Sequence, residues 1–345
     1  MGNLTKFQDQ TTATVEAIYA WNKKRGSSEK MRKYLGASIA GHECDRYLWF
    51  SFRQCFIPNF SGRIYRLFDR GNREESVFIE ELRGIGCEVV DRDEDGDQIG
   101  ISAIGGHFRG HLDGVGVGIP ESPKTWHVLE FKTHCEKSFN ELEKVGVKVS
   151  KPVHYAQMMI YMGHLKLTRA LYLAVNKNDD RLHSERIHFN RDEFRSIMMR
   201  MDRIINSISL PDRCSKRSDY FRCKMCDAQA LCWGLDTVRY VPLPFKSCRH
   251  CCHATPEVDS DDGRWTCNAM IPDNGYKDRA ILADTDHPCS KHLLIPGFFV
   301  NAEPIDAGDT WIKFRMSDGE EFVHGDGSDC SSTTDDVISK AIHDE

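Results

Sequence analysis

Asp113, Glu130 and Lys132 are the residues of this chain best suited to do chemistry. Asp113 ends one strand-like run, residues 108–115, and Glu130 and Lys132 lie seventeen and nineteen residues later in another, 126–132. Residues i and i+2 of a strand face the same side, so Glu130 and Lys132 point together while Phe131 points away. If the two strands are neighbours, Asp113 joins them. Paired carboxylates hold a hard divalent cation, Mg²⁺ or Mn²⁺. A lysine beside them orients or activates a water and offsets charge on a pentavalent phosphate, which is the equipment of metal-assisted phosphodiester hydrolysis. Asp-Gly pairs and E-x-K triplets also arise by chance in charged sequences. Two charges inside an otherwise apolar strand are harder to dismiss, because unpaired charge there is costly. Glu74 and Glu75 on a preceding helix supply a further carboxylate. Gln157 and Tyr161, four apart, share one face of a following helix that can abut Lys132 and a substrate backbone.

Cysteines form the second set. Ten of the fourteen follow residue 213. Cys223-x2-Cys226-x5-Cys232 supplies three close thiolates, with Cys214 a fourth within the same stretch. Four thiolates suit Zn²⁺ or an iron–sulfur cluster, and spacing does not separate the two. Further on, Cys248-x2-Cys251, Cys267 and Cys289-x2-His292 read as a zinc ribbon, with two thiolates on one knuckle and two later ligands. Cys248, Cys251, Cys267 and Cys289 are preferred, with His292 the rival for the last place. A metal would have a purpose there, since core-forming runs are sparse. Cys55, Cys87, Cys135, Cys252 and Cys330 are unassigned.

The elements that position these residues follow from hydrophobic spacing. Residues 1–35 predict a helical arm around Val15, Ile18 and Trp21. Ser38 is a candidate N-cap for a helix carrying Cys44, Tyr47, Leu48 and Phe52. A longer helix spans 64–83, with Phe78 and Leu82 on its apolar face. Strand-like runs occupy 87–90, 98–104, 108–115 and 126–132, helices 137–147 and 154–165, strands 171–175 and 185–189, and an amphipathic helix 191–208. A strand-rich centre flanked by helices is α/β. Val241-Pro242-Leu243-Pro244 marks a boundary near 240, so the expected domains are 1–240 and 241–345. In the second, 311–314 and 321–323 are strands of a small β module.

With 345 residues, 40% hydrophobic and 28% charged, most of the chain can fold around a core. A formal net charge of −6 disfavours a protein that coats nucleic acid with its whole surface, although a local basic groove remains compatible. No run of eighteen apolar residues suggests a membrane span, and the first residues lack the pattern of a signal peptide. No G-x-G-x-x-G fingerprint supports a redox enzyme using a dinucleotide.

The string Asp113, Glu130-Phe131-Lys132 and Gln157-Met158-Met159-Ile160-Tyr161 resembles the PD-(D/E)XK nuclease superfamily. Its RecB-like branch, with the CRISPR-associated iron–sulfur nucleases, carries the Q-x-x-x-Y motif after the E-x-K strand. The resemblance covers roughly residues 36–235 and extends to phage-type exonucleases with an iron–sulfur cluster. The superfamily often has proline before the aspartate, where this chain has Leu112. The resemblance implies a restriction-endonuclease-like core, a central mixed sheet flanked by helices, with a zinc-ribbon-like β module appended. It implies Glu75 as the helix-borne metal ligand beside Asp113 and Glu130, with Glu74 the alternate, and catalytic roles for Asp113, Glu130, Lys132, Gln157 and Tyr161. It implies a [4Fe-4S] cluster held by Cys44, Cys223, Cys226 and Cys232, joining the ends of the nuclease domain. The implied activity is a Mg²⁺- or Mn²⁺-dependent exonuclease, working 5′ to 3′ on single-stranded DNA or duplex ends in phage recombination, processing or degradation. Its setting would be the cytoplasm, the host's for a phage protein, with phage recombination or replication proteins as partners. A structure-selective endonuclease and a non-catalytic DNA-binding scaffold are the alternatives, and the intact acidic and lysine positions speak against the scaffold.

Cations for DNA phosphates crowd Arg46, Arg53, Arg63, Arg66, Arg70 and Arg73, among Tyr47, Trp49 and Phe52. Trp49 fits better as core. Arg46 or Arg53 is the candidate for a terminal phosphate, and Lys137 for the scissile strand.

Overall fold

In the computed structural model, residues 12–28, 31–234, 247–270, 280–282, 284–286, 291–325 and 341 are described. The helices are α1 (Ala13–Ser27), α2 (Asp45–Phe52), α3 (Gly62–Gly84), α4 (Glu136–Ser150), α5 (Pro152–Leu165), α6 (Arg191–Asn206), α7 (Phe221–Lys224) and α8 (Gln229–Trp233). The strands are β1 (Leu35–Gly36), β2 (Glu88–Val90), β3 (Gly100–Ala103), β4 (Phe108–His111), β5 (Gly114–Val117), β6 (His127–His134), β7 (Arg169–Asn176) and β8 (Leu182–His188). They continue with β9 (Ala254–Pro256), β10 (Trp265–Cys267), β11 (Ala280–Leu282), β12 (Ala302–Ala307), β13 (Trp311–Met316) and β14 (Glu321–Gly325). The expected α/β architecture is present, a mixed sheet with helices on both faces. The boundary expected near 240 lies outside the described residues.

The central sheet runs β2-β5-β6-β7-β8. Only β6 and β7 are parallel, and α4 and α5 form the crossover that parallel neighbours require. Alternation along β6 and β7 divides the core. Leu129, Phe131, Leu171 and Val175 pack with Phe78 and Leu82 of α3. Val128, Ala170, Tyr172 and Ala174 face Met158, Met159 and Met162 of α5. Residues Ala156 to Met162 are all buried, so α5 is enclosed on every side and mostly apolar. It opens on Pro152, whose missing N–H costs nothing there. Asn190 caps α6 by accepting from the N–H groups of Asp192 and Glu193.

Two local expectations are corrected. Ser38 caps no long helix: Ala37–Ile39 is a single 3₁₀ turn, and α2 begins at Cys44. Arg200 of α6 holds the intervening loop open, donating to the carbonyls of Ala40 and His42 at 3.1 and 2.6 Å. The run 108–115 is two strands in different sheets. β4 pairs with β1 and β3, while β5 joins the central sheet, and Leu112 and Asp113 are the crossing point.

Toward the C-terminus the chain forms two antiparallel sheets, β11-β10-β9 and β12-β13-β14. A small β module was expected there, although β12 was not. Trp265, Leu294 and Phe298 from this region share one buried cluster with Trp49, Phe50 and Phe52 of α2. Two buried guanidiniums stitch the regions together. Arg53 donates to the carbonyls of Arg249 (2.7 Å) and Ser207 (3.0 Å). Arg249 donates to those of Phe52 (3.1 Å) and Lys33 (3.2 Å). Both lie over the Trp265 ring.

Candidate active site

Asp113, Glu130 and Lys132 meet at the centre of the main sheet. Pairing of Gly114 with Leu129 sets Asp113 beside Glu130, and the Phe131 N–H donates to Asp113 Oδ2 at 2.7 Å. This bond fixes the aspartate at the point where the chain changes sheets. Lys132 Nζ lies 2.5 Å from Glu130 Oε1 and 3.9 Å from Asp113 Oδ2. It also donates to the Phe131 carbonyl at 2.9 Å. Glu130 is fully buried, with the Lys132 ammonium against Oε1 and no hydrogen-bond partner for Oε2. A buried carboxylate with only an ammonium beside it retains unused acceptor capacity.

Glu75, half-buried on α3, interacts electrostatically with Asp113, Lys132 and Glu130. Phe78, one turn on, stacks on Phe131 at 5.2 Å and seats the helix against β6. Burial pushes the Glu75 carboxyl up to about 7; Asp113 adds to this and Lys132 opposes it. Burial likewise raises Glu130 to about 7, against the pull of Lys132 and with Asp113 adding. Burial draws the Lys132 ammonium down, but Glu130 and Asp113 outweigh it and hold the proton on. The three carboxylates share one site, but among the described residues no three His, Cys, Asp or Glu side chains are arranged to hold a metal ion.

Gln157 and Tyr161 are adjacent and buried, with Gln157 Nε2 donating to the Tyr161 hydroxyl at 3.3 Å. Tyr161 donates to the His111 carbonyl at 2.7 Å, two residues before Asp113. In this structure the pair therefore holds the Asp113 turn rather than presenting a surface to a strand. Gly110 allows the approach, because a Cβ there would lie 2.9 Å from the Tyr161 hydroxyl.

A network that the sequence reading missed lies alongside. The Tyr172 hydroxyl, in register with Glu130, is 2.8 Å from His134 Nε2 and 2.9 Å from His154 Nδ1. Burial lowers His134 to about 4, with Lys151 and Lys132 adding, and His154 to about 3, with Lys132 and His134 adding. Its signal was present: His134 is two residues beyond Lys132 on the same strand face.

Cys44, Cys214, Cys223, Cys226 and Cys232 line one cavity. Cys44 is the N-cap residue of α2, Cys223 lies in α7 and Cys232 in α8. The Cys214 thiol lies beside those of Cys44 and Cys223 and is pushed up to about 12, by burial first and then by these neighbours. Of the second cysteine set, Cys248, Cys251 and Cys267 are buried. Cys267 pairs with Ala254 across β9 and β10, and Cys251 Sγ accepts from the Leu293 N–H at 3.3 Å. His292 Nε2 is 3.0 Å from the Ser247 carbonyl. Cys289 and Cys330 lie outside the described residues.

The candidate DNA contacts separate. Arg53 is buried with its guanidinium engaged inside, a cross-link rather than a phosphate contact. Arg46 donates to the Pro211 carbonyl at 2.6 Å and lines the cysteine cavity. Lys137 is exposed in the first turn of α4, just past β6. Trp49 is core.

No protein-family model matches the sequence, and no curated protein does. Among solved structures, the chain is similar to the crystal structure of SSO0001 at 14% identity, over 64% of this chain and 96% of that one, with a TM-score of 0.39. It is also similar to the alkaline exonuclease LHK-Exo from Laribacter hongkongensis, at 14% identity over 55% of this chain and 90% of that one, with a TM-score of 0.32. LHK-Exo in complex with dAMP gives a TM-score of 0.33 over the same shares. No helix among the described residues is long and apolar enough to cross a membrane.

Proposed function

We propose that this chain is a Mg²⁺- or Mn²⁺-dependent deoxyribonuclease. The observation that carries this reading is the fully buried Glu130, its Oε2 without a hydrogen-bond partner, beside Asp113 and Lys132. Hard oxygen donors with unused lone pairs fit a small divalent cation. Glu75, Asp113 and Glu130 would have to draw together around the ion to hold it, with the Phe131 carbonyl as a further oxygen. Held there, the cation supplies Lewis-acid polarisation of the phosphate and a more acidic water. Lys132 positions that water and offsets charge developing on the phosphate. Gln157 and Tyr161 hold the Asp113 turn through the His111 carbonyl, and Lys137 meets the scissile strand.

Exonucleolytic action, 5′ to 3′ from single strands or duplex ends in phage DNA recombination or processing, is the finer reading and follows the sequence resemblance. A [4Fe-4S] cluster on Cys44, Cys223, Cys226 and Cys232 is the reading for the thiol-lined cavity, and binding it would displace the thiol protons. Zn²⁺ is the reading for Cys248, Cys251 and Cys267, completed by Cys289 or His292.

Replacing Lys132 with alanine tests the mechanism. Lys132→Ala is expected to abolish cleavage while leaving DNA affinity intact in EDTA. Full activity in the metal-replete variant would contradict the role given to Lys132.

A further inference from the structure

The cations expected to meet DNA from α2 are turned inward, but those of α1 and the first half of α3 are not, except Arg70, which donates to the Lys177 carbonyl at 3.3 Å. Over Ala13–Ser27 and Gly62–Arg73, basic residues outnumber acidic ones seven to two, in a chain whose formal net charge is −6. Lys23, Lys24, Arg63, Arg66 and Arg73 are exposed. On α3, Arg63, Arg66, Arg70 and Arg73 recur at spacings of three and four, so they form one stripe. The two helices pack as a pair. Gly62 admits the Tyr19 backbone, Gly26 admits the Tyr65 ring, and Arg25 pairs with Asp69.

Trp21 on this pair is 61% exposed, a large cost for an indole. Its ring is nonetheless held in place, with the Arg25 guanidinium 4.9 Å from its centroid. Arg25 is itself anchored to Asp69. One ring face is therefore backed by a cation while the residue as a whole stays largely exposed. Phe68, 45% exposed, stands edge-on to Phe60 at 5.2 Å and to Tyr65 at 6.1 Å. Anchored, exposed aromatic rings among phosphate-binding cations are the features that grip unpaired nucleotides, because every base presents a π-face.

We infer that the α1–α3 pair is a binding platform for single-stranded DNA, with a base stacked on Trp21 and phosphates on Lys23, Lys24, Arg63 and Arg66. The inference rests on the nuclease reading in one respect, the direction of the strand. The stripe ends at Arg73, two residues before Glu75; positions two apart lie on different faces of a helix, so a strand on the stripe has to cross the edge of α3 to reach the carboxylates. The twelve residues from Arg63 to Glu75 span about 18 Å of helix.

Binding in EDTA separates the platform from catalysis. Anisotropy of labelled single-stranded and blunt duplex oligonucleotides would be measured across a salt series, with urea unfolding as a control for folding. Trp21→Ala is expected to weaken single-strand binding about tenfold or more, Trp21→Phe to restore most of it, and duplex binding to stay unchanged. Combining Lys23→Gln, Lys24→Gln, Arg63→Gln and Arg66→Gln should flatten the salt slope by about 3, at roughly 0.7 per phosphate contact on a single strand. These exposed positions carry the test if Trp21→Ala unfolds. Unchanged affinity and slope in the folded variants would overturn the platform. Equal weakening of duplex and single strand by Trp21→Ala would also overturn it, as no base would be stacked. Wild-type protein that binds in this way but never cleaves would overturn the nuclease reading alone.

Discussion

Lys132 is the one cation among the carboxylates of the site, and it offsets part of their charge. The Lys132 ammonium neutralises Glu130 at 2.5 Å, and the backbone N–H of the residue between them fixes Asp113. Removing the ammonium leaves the carboxylates uncompensated and the water unpositioned. Lys132→Ala is therefore expected to lower the single-turnover rate by at least about 10²–10⁴-fold, the range for a positioned proton-handling group, which leaves no cleavage detectable in a steady-state assay. Tyr161 acts at one remove. Tyr161→Phe strips the His111 carbonyl of its donor and should cost about 1–3 kcal/mol of stability in urea unfolding. It should also slow cleavage, because the Asp113 turn loosens. An unchanged unfolding free energy would mean that the hydroxyl does not hold the turn.

Elements put these side chains in place through contacts far apart in sequence. Arg53 shows the consequence, since a guanidinium beside aromatic residues looks the same in sequence whether it meets phosphate or carbonyls. Here it ties α2 to Arg249 and Ser207. Arg53→Met is expected to destabilise the protein by about 3 kcal/mol, because two buried carbonyls lose a charged donor. DNA affinity of the folded fraction should be unchanged; a loss of affinity at constant stability would restore Arg53 as a phosphate contact. The site was more legible than its surroundings for a physical reason. The buried strand β6 shows as a nearly unbroken apolar run, and its two charges stand out against it. The crossing at Leu112 and Asp113 did not show, because strand character continues through 108–115 and the change of sheet is set by pairing with β1 and β6. Ser38 failed as a cap because Arg200, some 160 residues away in sequence, holds the loop before α2. The platform on α1 was hidden because exposure of Trp21 is a property of packing, not of residue type.

The molecule as a whole is held between its N-terminal and C-terminal halves by buried polar groups, and this gives it a pH signature. His107, edge-on to Phe52 and Trp265, has Nε2 3.0 Å from the Arg264 carbonyl. Burial lowers it from 6.5 to about 4, with Arg249 adding and the Arg264 carbonyl opposing. Above pH 6.5 it is neutral in both folded and unfolded chains. As pH falls from 6.5 to 4, the unfolded chain takes up the proton first, so stability falls across that window, by up to about 3 kcal/mol. Urea unfolding should show this loss together with that of His134 and His154, and His107→Gln should make it shallower by the His107 share; an unchanged pH dependence in that variant would assign the loss to the other groups. The most direct test of the central claim is cleavage of end-labelled linear and circular DNA by anaerobically purified protein, with Mg²⁺ or Mn²⁺ and with EDTA. The expected result is metal-dependent cleavage, absent in EDTA and in Lys132→Ala, with linear DNA degraded from its ends and circles spared. Cleavage of circles would make the protein an endonuclease, and no cleavage by folded, metal-loaded protein would contradict the assignment of Asp113, Glu130 and Lys132 to hydrolysis.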